Sequence, residues 1–120
     1  MKPRIDQTEF GSITIAGEEF EHDVIIRLNG SVKKRKKKLS KALYGTSHIV
    51  SLAEAEHVYE AGAQSLIVGT GQAGNVTLSP EAADFFKRMN CRVELLPTPQ
   101  AIDTWNETKG TLIGLFHVTC

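Results

Sequence analysis

Small polar residues follow three predicted strands in the second half of this 120-residue chain. Because ligands usually bind beyond the carboxyl ends of parallel strands, such residues predict a small-molecule or anion pocket at one edge of a sheet. Two helices predicted to begin near Pro80 and Pro99 would add free amides and a partial positive charge to that edge. The candidate ligand-binding residues of this edge are Gly69, Thr70, Gly71, Thr98 and His117.

A second polar cluster, residues 44–48, precedes these strands. It contains Tyr44, Ser47 and His48, which can line a pocket or, in the case of the histidine, donate a proton. The alternative is an ordinary hydrogen-bonded loop over the edge of the sheet. We include these three side chains in the candidate ligand site.

Residues 69–74 have the spelling G-x-G-x-x-G and follow a predicted strand. Dinucleotide binding requires a helix that opens within this motif, but the next predicted helix begins only near Pro80. We therefore interpret the motif as a glycine turn and expect no cofactor.

Neither cysteine has the surroundings of a catalytic or structural thiol. Cys91 opens an apolar strand and is predicted to be buried, while the alternation of a strand places His117 and Cys120 on opposite faces. We therefore assign no catalytic nucleophile. Two distant thiols also argue against a disulfide framework and a zinc site, so no metal is expected.

The cysteine usage fits a reducing, cytoplasmic compartment. The first ten residues have no signal-peptide character, and no apolar run is long enough to span a membrane.

A basic run interrupts an otherwise acidic chain. Seven of the fourteen basic residues lie between Lys33 and Lys41, so the rest of the chain holds seven basic and fourteen acidic residues. Such a run is a candidate partner-binding patch, or simply a solvated charged face. Nucleic-acid binding is the weaker alternative, because no aromatic side chains are interleaved for base stacking. The candidate residues are Lys33, Lys34, Arg35, Lys36, Lys37 and Lys38.

The apolar periodicity predicts a single α/β domain over residues 1–120. Antiparallel strands occupy residues 10–32, with a tight turn at Asn29 and Gly30, and residues 33–48 have no clear period and are expected to form an exposed connection. Helices and strands then alternate, which favours parallel βαβ units. The helices are predicted to begin at a capping box, Ser51–Glu54, and at the N-caps Ser79 and Thr98, with Gly62 and Gly110 marking two of their ends.

Several short motifs together resemble the adipogenesis-associated Mth-domain family, whose archaeal prototype has no known function. The motifs are Asp6–Gly11 with Ile13, Asp23-Val24, Tyr44–His48, Leu66–Gly71, Leu95–Thr98, Trp105–Glu107 and His117–Cys120. The resemblance implies a three-layer α/β fold with a mixed central sheet and an N-terminal β hairpin. Some relatives resemble mitochondrial complex I assembly factors, which implies protein binding. Many relatives carry tryptophan near the position where this sequence has the basic run. A partner that binds relatives at this position is therefore not implied for this chain.

Three functions remain open on the sequence alone. The first is a non-catalytic protein-binding or assembly module, favoured by the lack of a coherent catalytic set. The second is a small-molecule or anion site at the carboxyl edge of the parallel strands, with or without catalysis. The third is nucleic-acid binding through Lys33–Lys38.

Overall fold

A computed structural model describes residues 2–120 and contains ten strands and four helices. The strands are β1 (Ile5–Glu9), β2 (Ser12–Ile15), β3 (Glu18–Phe20), β4 (Val24–Ile26), β5 (Val32–Lys34), β6 (Ile49–Val50), β7 (Ser65–Thr70), β8 (Thr77–Leu78), β9 (Arg92–Leu96) and β10 (Leu112–His117). The helices are α1 (Lys38–Tyr44), α2 (Leu52–Val58), α3 (Pro80–Arg88) and α4 (Thr98–Glu107). None of them has the length and apolar character needed to cross a membrane within the described residues.

The central sheet is mixed, with the strand order β5-β4-β10-β7-β9. β10 pairs in parallel with β7, which pairs in parallel with β9, so the predicted βαβ arrangement is confirmed. β4 runs antiparallel to β10, and β5 antiparallel to β4. The turn between β4 and β5 contains Gly30, which adopts a positive φ of 88°. This confirms the hairpin predicted at Asn29 and Gly30.

Alternate residues of the sheet enter two separate cores, as the period of two along a strand requires. In β10, Ile113 and Leu115 pack in the core beneath α2 and α3. Leu112 and Phe116 pack in the core on the opposite face, beneath α4. The result is a three-layer α/β fold, as the family resemblance implies.

The N-terminal strands form a separate antiparallel sheet, β1-β2-β3, which covers α4 and confirms the predicted N-terminal β structure. Ile5, Ile13 and Ile15 enter the core around Trp105. The Trp105 indole donates to the carbonyl of Pro3 at 2.8 Å, so the buried ring keeps a partner for its only donor.

Residues 33–48 are more regular than the sequence indicated. This segment holds the end of β5 and all of α1, which ends at Gly45 with a φ of 71°. The segment was expected to be an exposed connection and was not predicted to contain a helix, because α1 is held by a buried serine, Ser40, rather than by an apolar stripe that a periodicity search would detect.

Several predicted helix ends also differ from the observed ones. α2 ends at Val58 and α4 at Glu107, a few residues before Gly62 and Gly110, which lie in the following turns. Only half of the capping box forms. The Ser51 hydroxyl accepts from the Glu54 amide at 3.1 Å, but the Glu54 carboxylate binds other groups.

Candidate functional site

The ends of the three parallel strands meet at one edge of the sheet, as predicted. The Thr98 hydroxyl, which follows β9, donates to the carbonyl of His117 at 2.6 Å. The same oxygen accepts from the Gly71 amide, which follows β7, at 2.9 Å. One buried side chain therefore joins the ends of β7, β9 and β10.

This edge is closed by the chain itself. Thr98 is fully buried, and its role as the N-cap of α4 was predicted wrongly, because Pro97 holds that position and the hydroxyl is taken by His117. A Cβ atom on Gly69 would lie 2.7 Å from the Phe116 ring, and one on Gly71 would lie 2.6 Å from the Cys120 carbonyl carbon. These residues pack closely against other parts of the chain and support the edge from within.

The glycine turn 69–74 also uses its amides internally. The Gln72 amide donates to the carbonyl of Thr119 at 2.7 Å, and the Asn75 amide donates to the carbonyl oxygen of Cys120 at 3.2 Å. β8 then intervenes before α3 begins. The motif therefore holds the segment after β10 in place, as a glycine turn can, and its bonded amides do not form a phosphate cradle.

A buried ionic network lies beside this edge and centres on Arg35. Its Nη1 lies 2.9 Å from Asp23 Oδ2, and its Nε lies 2.6 Å from Glu54 Oε2. All three residues are at most 4% exposed. Because Arg35 has five donors in a planar fork, it can satisfy two carboxylates together. Burial lowers the pKa of Arg35, but the bonds and charges of Glu54 and Asp23 outweigh it and raise that pKa.

Serine residues complete the network. Ser40 donates to Glu54 and accepts from the Ser51 amide at 2.9 Å, while the Ser47 carbonyl accepts from Arg35 at 2.7 Å. No buried side-chain nitrogen or oxygen within residues 2–120 lacks a partner. The network thus connects α1, α2 and the 45–48 loop to the central sheet.

The network reaches His117 through Asp23. Asp23 Oδ2 lies 2.7 Å from His117 Nδ1, and Oδ1 accepts from the Val118 amide at 2.9 Å. Burial alone would raise the pKa of Asp23, but the His117 and Val118 hydrogen bonds, with the charges of His117 and Arg35, lower it to about 2. The carboxylate is ionised at neutral pH and can only accept, so the Nδ1–H group of His117 donates the hydrogen bond between them.

His117, His48 and Cys120 form a cluster at the outer end of this chain of contacts. The His48 and His117 rings lie 5.4 Å apart in an edge-to-face arrangement, and Cys120 Sγ lies 3.8 Å from His48 Nε2. The predicted divergence of His117 and Cys120 was wrong, because β10 ends at His117 and the following residues no longer alternate as a strand.

A groove of about 690 Å³ opens on the other side of Asp23. Its walls come from the end of β5 and the start of α1, from the residues before β4, and from the segment after β10. The lining residues are Gly11, Glu21, His22, Asp23, Lys34, Arg35, Lys36, Lys37, Lys38, Val118 and Thr119.

The basic run is divided by the structure. Lys34, Lys36 and Lys38 are exposed along the groove, and Lys37 is half-buried with Nζ 3.6 Å from Asp23 Oδ2. Arg35 is only 4% exposed, so its inclusion in an exposed basic patch was wrong. Its charge is balanced by two buried carboxylates, and Lys33 is exposed but does not line the groove.

The predicted 44–48 cluster is also divided. Tyr44 is half-buried at the end of α1, Ser47 is buried against Arg35, and only His48 joins the His117 cluster. Asp23 and Glu54 were not identified from the sequence as the buried partners of Arg35. The signal that points to them is the single arginine among lysines, because arginine is the residue of choice for a buried pair of this kind.

Comparison with known proteins identifies one matching family model and several solved structures with the same fold. A family model described as "Protein of unknown function (DUF498/DUF598)" matches residues 5–111. A conserved hypothetical protein from Pyrococcus horikoshii, PH1505, is 33% identical, with a TM-score of 0.88 over 98% of this chain and 99% of that one. The protein MT938 is 32% identical, with a TM-score of 0.83 over 99% and 100% of the two chains. A Mth938-like domain from Bordetella pertussis shares the fold at 19% identity and a TM-score of 0.62, over 97% and 85%.

Proposed function

The chain belongs to the DUF498/DUF598 family of proteins of unknown function, and we propose that it is a non-catalytic module that binds an acidic segment of a partner protein. The membership, with the similarity to MT938, confirms the Mth-domain resemblance drawn from the sequence. The observation that carries the proposal is the groove beside Asp23, which is lined by four lysines of the basic run: Lys34, Lys36, Lys37 and Lys38.

The groove is available for an anionic ligand because three of its four lysines, Lys34, Lys36 and Lys38, form no ion pair within residues 2–120. The fourth lysine, Lys37, forms an ion pair with Asp23. That carboxylate is also bound by Arg35 and His117. The other amines extend into solvent along one wall. Charge at such a rim raises the association rate and selects the sign of the partner.

Two features favour a protein over a nucleic acid as the occupant. Outside residues 33–41 the chain has seven basic and fourteen acidic residues, and this surplus repels a long phosphate backbone. The groove lining also contains no Phe, Tyr or Trp among the described residues, so it offers no platform for base stacking beyond His22. A short acidic peptide needs only the local positive charge.

A second candidate function is the binding of a small free anion in the same groove. A volume of about 690 Å³ is within the range of small-molecule sites, and the groove lies at the carboxyl end of β10, next to the predicted edge. Carboxylate recognition is common to both candidates, so the experiment must separate a peptide from a free carboxylate.

The test is a titration of a fluorescein-labelled peptide of ten glutamates at low salt, followed by fluorescence anisotropy. Competition with citrate distinguishes the free anion, and competition with a thymidine oligonucleotide distinguishes nucleic acid. We expect peptide binding to weaken about tenfold in the triple variant Lys34→Gln, Lys36→Gln, Lys38→Gln, because each lost charge pair is worth a few tenths of a kcal/mol or more.

The matched control removes the same charge elsewhere, through Lys87→Gln, Arg92→Gln and Lys109→Gln, which are exposed and do not line the groove. It should change the peptide affinity by less than about twofold. Absence of peptide binding at low salt, or equal weakening in both triple variants, overturns the proposal. Displacement by citrate at equal carboxylate concentration favours the second candidate, and tighter oligonucleotide than peptide binding favours nucleic acid.

A further inference from the structure

We propose that His48, His117 and Cys120 form a binding site for a soft divalent metal ion, specifically Zn²⁺. The three side chains come from the loop before β6, the end of β10 and the segment after it. One ligand atom from each lies within 4.8 Å of the other two. The proposal does not depend on the function proposed for the lysine groove, although Asp23 and Thr119 border both places.

The orientation of His117 is the first argument. Its Nδ1 lies 2.7 Å from the Asp23 carboxylate and is engaged there, so Nε2 is the ring nitrogen left for a metal ion. Asp23 is itself fixed by Arg35 and by the Val118 amide. A carboxylate that holds the far nitrogen of a histidine is the usual support of a metal-binding imidazole, because it fixes both the tautomer and the ring orientation.

The spacing of the ligand atoms is the second argument. Zinc bonds of about 2.0–2.3 Å in a tetrahedron place nitrogen and sulfur ligands roughly 3.3–3.8 Å apart. The distance of 3.8 Å between Cys120 Sγ and His48 Nε2 already meets this requirement. The other two separations are at most 4.8 Å and must shorten by up to about 1 Å, which rotamer changes at the half-buried His48 and the exposed Cys120 can supply while His117 stays fixed.

One contact must be exchanged when the ion binds. The Thr119 hydroxyl lies 3.1 Å from His117 Nε2, so a metal ion on that nitrogen must displace it. This hydroxyl is half-buried and borders the lysine groove, so it can turn to solvent. On binding, Cys120 loses its proton to solvent, and the thiolate and two neutral imidazoles surround the ion.

The donor set defines the class of ion. One thiolate and two imidazoles suit Zn²⁺ or copper, whereas Mg²⁺ and Ca²⁺ require oxygen ligands. Three protein ligands leave a fourth tetrahedral position for water. Cys91 does not contribute, because it is buried in the core under α3.

The test uses the full chain, Zn²⁺ in isothermal titration calorimetry, and Co²⁺ as a spectroscopic probe. We expect one Zn²⁺ per chain and a thiolate-to-cobalt charge-transfer band in the near ultraviolet. Cys120→Ser should abolish that band and, like His48→Gln, weaken Zn²⁺ binding by about 100-fold or more. His57→Gln is the matched control, because His57 lies on α2 outside the cluster, and it should leave both measurements unchanged.

Three results overturn the proposal: no Zn²⁺ binding by the wild-type chain, Zn²⁺ affinity that Cys120→Ser and His48→Gln leave unchanged, or a Co²⁺ complex without the thiolate band. Far-ultraviolet circular dichroism of each variant checks its fold. If Cys120→Ser does not fold, protection of the Cys120 thiol from iodoacetamide by Zn²⁺ in the wild-type chain decides the question, and absence of protection contradicts the site.

Discussion

The carboxylate of Asp23 lies 2.7 Å from Nδ1 of His117, although 94 positions separate the two residues in the sequence. This contact joins the start of β4 to the end of β10. Asp23 also borders the lysine groove and binds Arg35, so a single buried carboxylate links the groove, the ionic network and the histidine–cysteine cluster. Changes in the network should therefore affect the fold and both candidate sites.

Of the residues in the basic run, Arg35 should contribute most to the free energy of unfolding. Arg35→Met leaves Asp23 and Glu54 buried without their shared partner, and breaking a buried ion pair in this way costs about 3–5 kcal/mol in the free energy of unfolding. Urea denaturation measures this loss. Lys36→Met, one position along the chain and exposed, is the control and should cause little change. Equal losses in the two variants would show that Arg35 is not a structural residue.

Thr98 should contribute stability through its hydroxyl rather than as a helix cap. Thr98→Val keeps the shape but leaves the Gly71 amide and one His117 carbonyl bond unsatisfied in a buried place, at a cost of about 1–3 kcal/mol. Thr98→Ser retains the hydroxyl and should lose less. Thermal unfolding of both variants, with the exposed Thr77→Val for comparison, tests this. If Val and Ser destabilise equally, the bridge between the strand ends is not important.

The two thiols should differ strongly in reactivity. Burial raises the pKa of Cys91 to about 11, so at neutral or mildly alkaline pH its thiol stays protonated as well as inaccessible. Cys120 is exposed. With Ellman's reagent we expect one fast thiol in the native protein and a second only after denaturation. Cys120→Ser should remove the fast phase, and a fast phase that survives in that variant would place the reactive thiol at Cys91.

The central sheet could be predicted from sequence because its residues obey the simplest pattern available. β4, β7 and β10 are short apolar runs bounded by turns, and Ser79-Pro80 is a strong helix start whose hydroxyl caps the Ala82 amide at 3.0 Å. The meeting of the strand ends also followed, because parallel strands in one sheet share a carboxyl edge. These features depend on local pattern and chain direction only.

The site could not be predicted to the same extent, because it depends on contacts between distant segments. Glu54 has the position expected of a capping-box glutamate, and the approach of Arg35 and Ser40 diverts its carboxylate. Similarly, the edge near Thr98 is closed by the segment after β10, whose path a strand pattern does not specify. The convergence of His48 with Cys120 has the same origin.

The most direct test of the binding groove is a titration of ¹⁵N-labelled protein with the unlabelled decaglutamate peptide, followed by amide chemical shifts. Binding in the groove predicts the largest shift changes at its lining residues, above all Glu21, His22, Lys34, Lys36 and Thr119. Changes concentrated elsewhere, such as at the end of α3, or spread evenly over the surface, would contradict it.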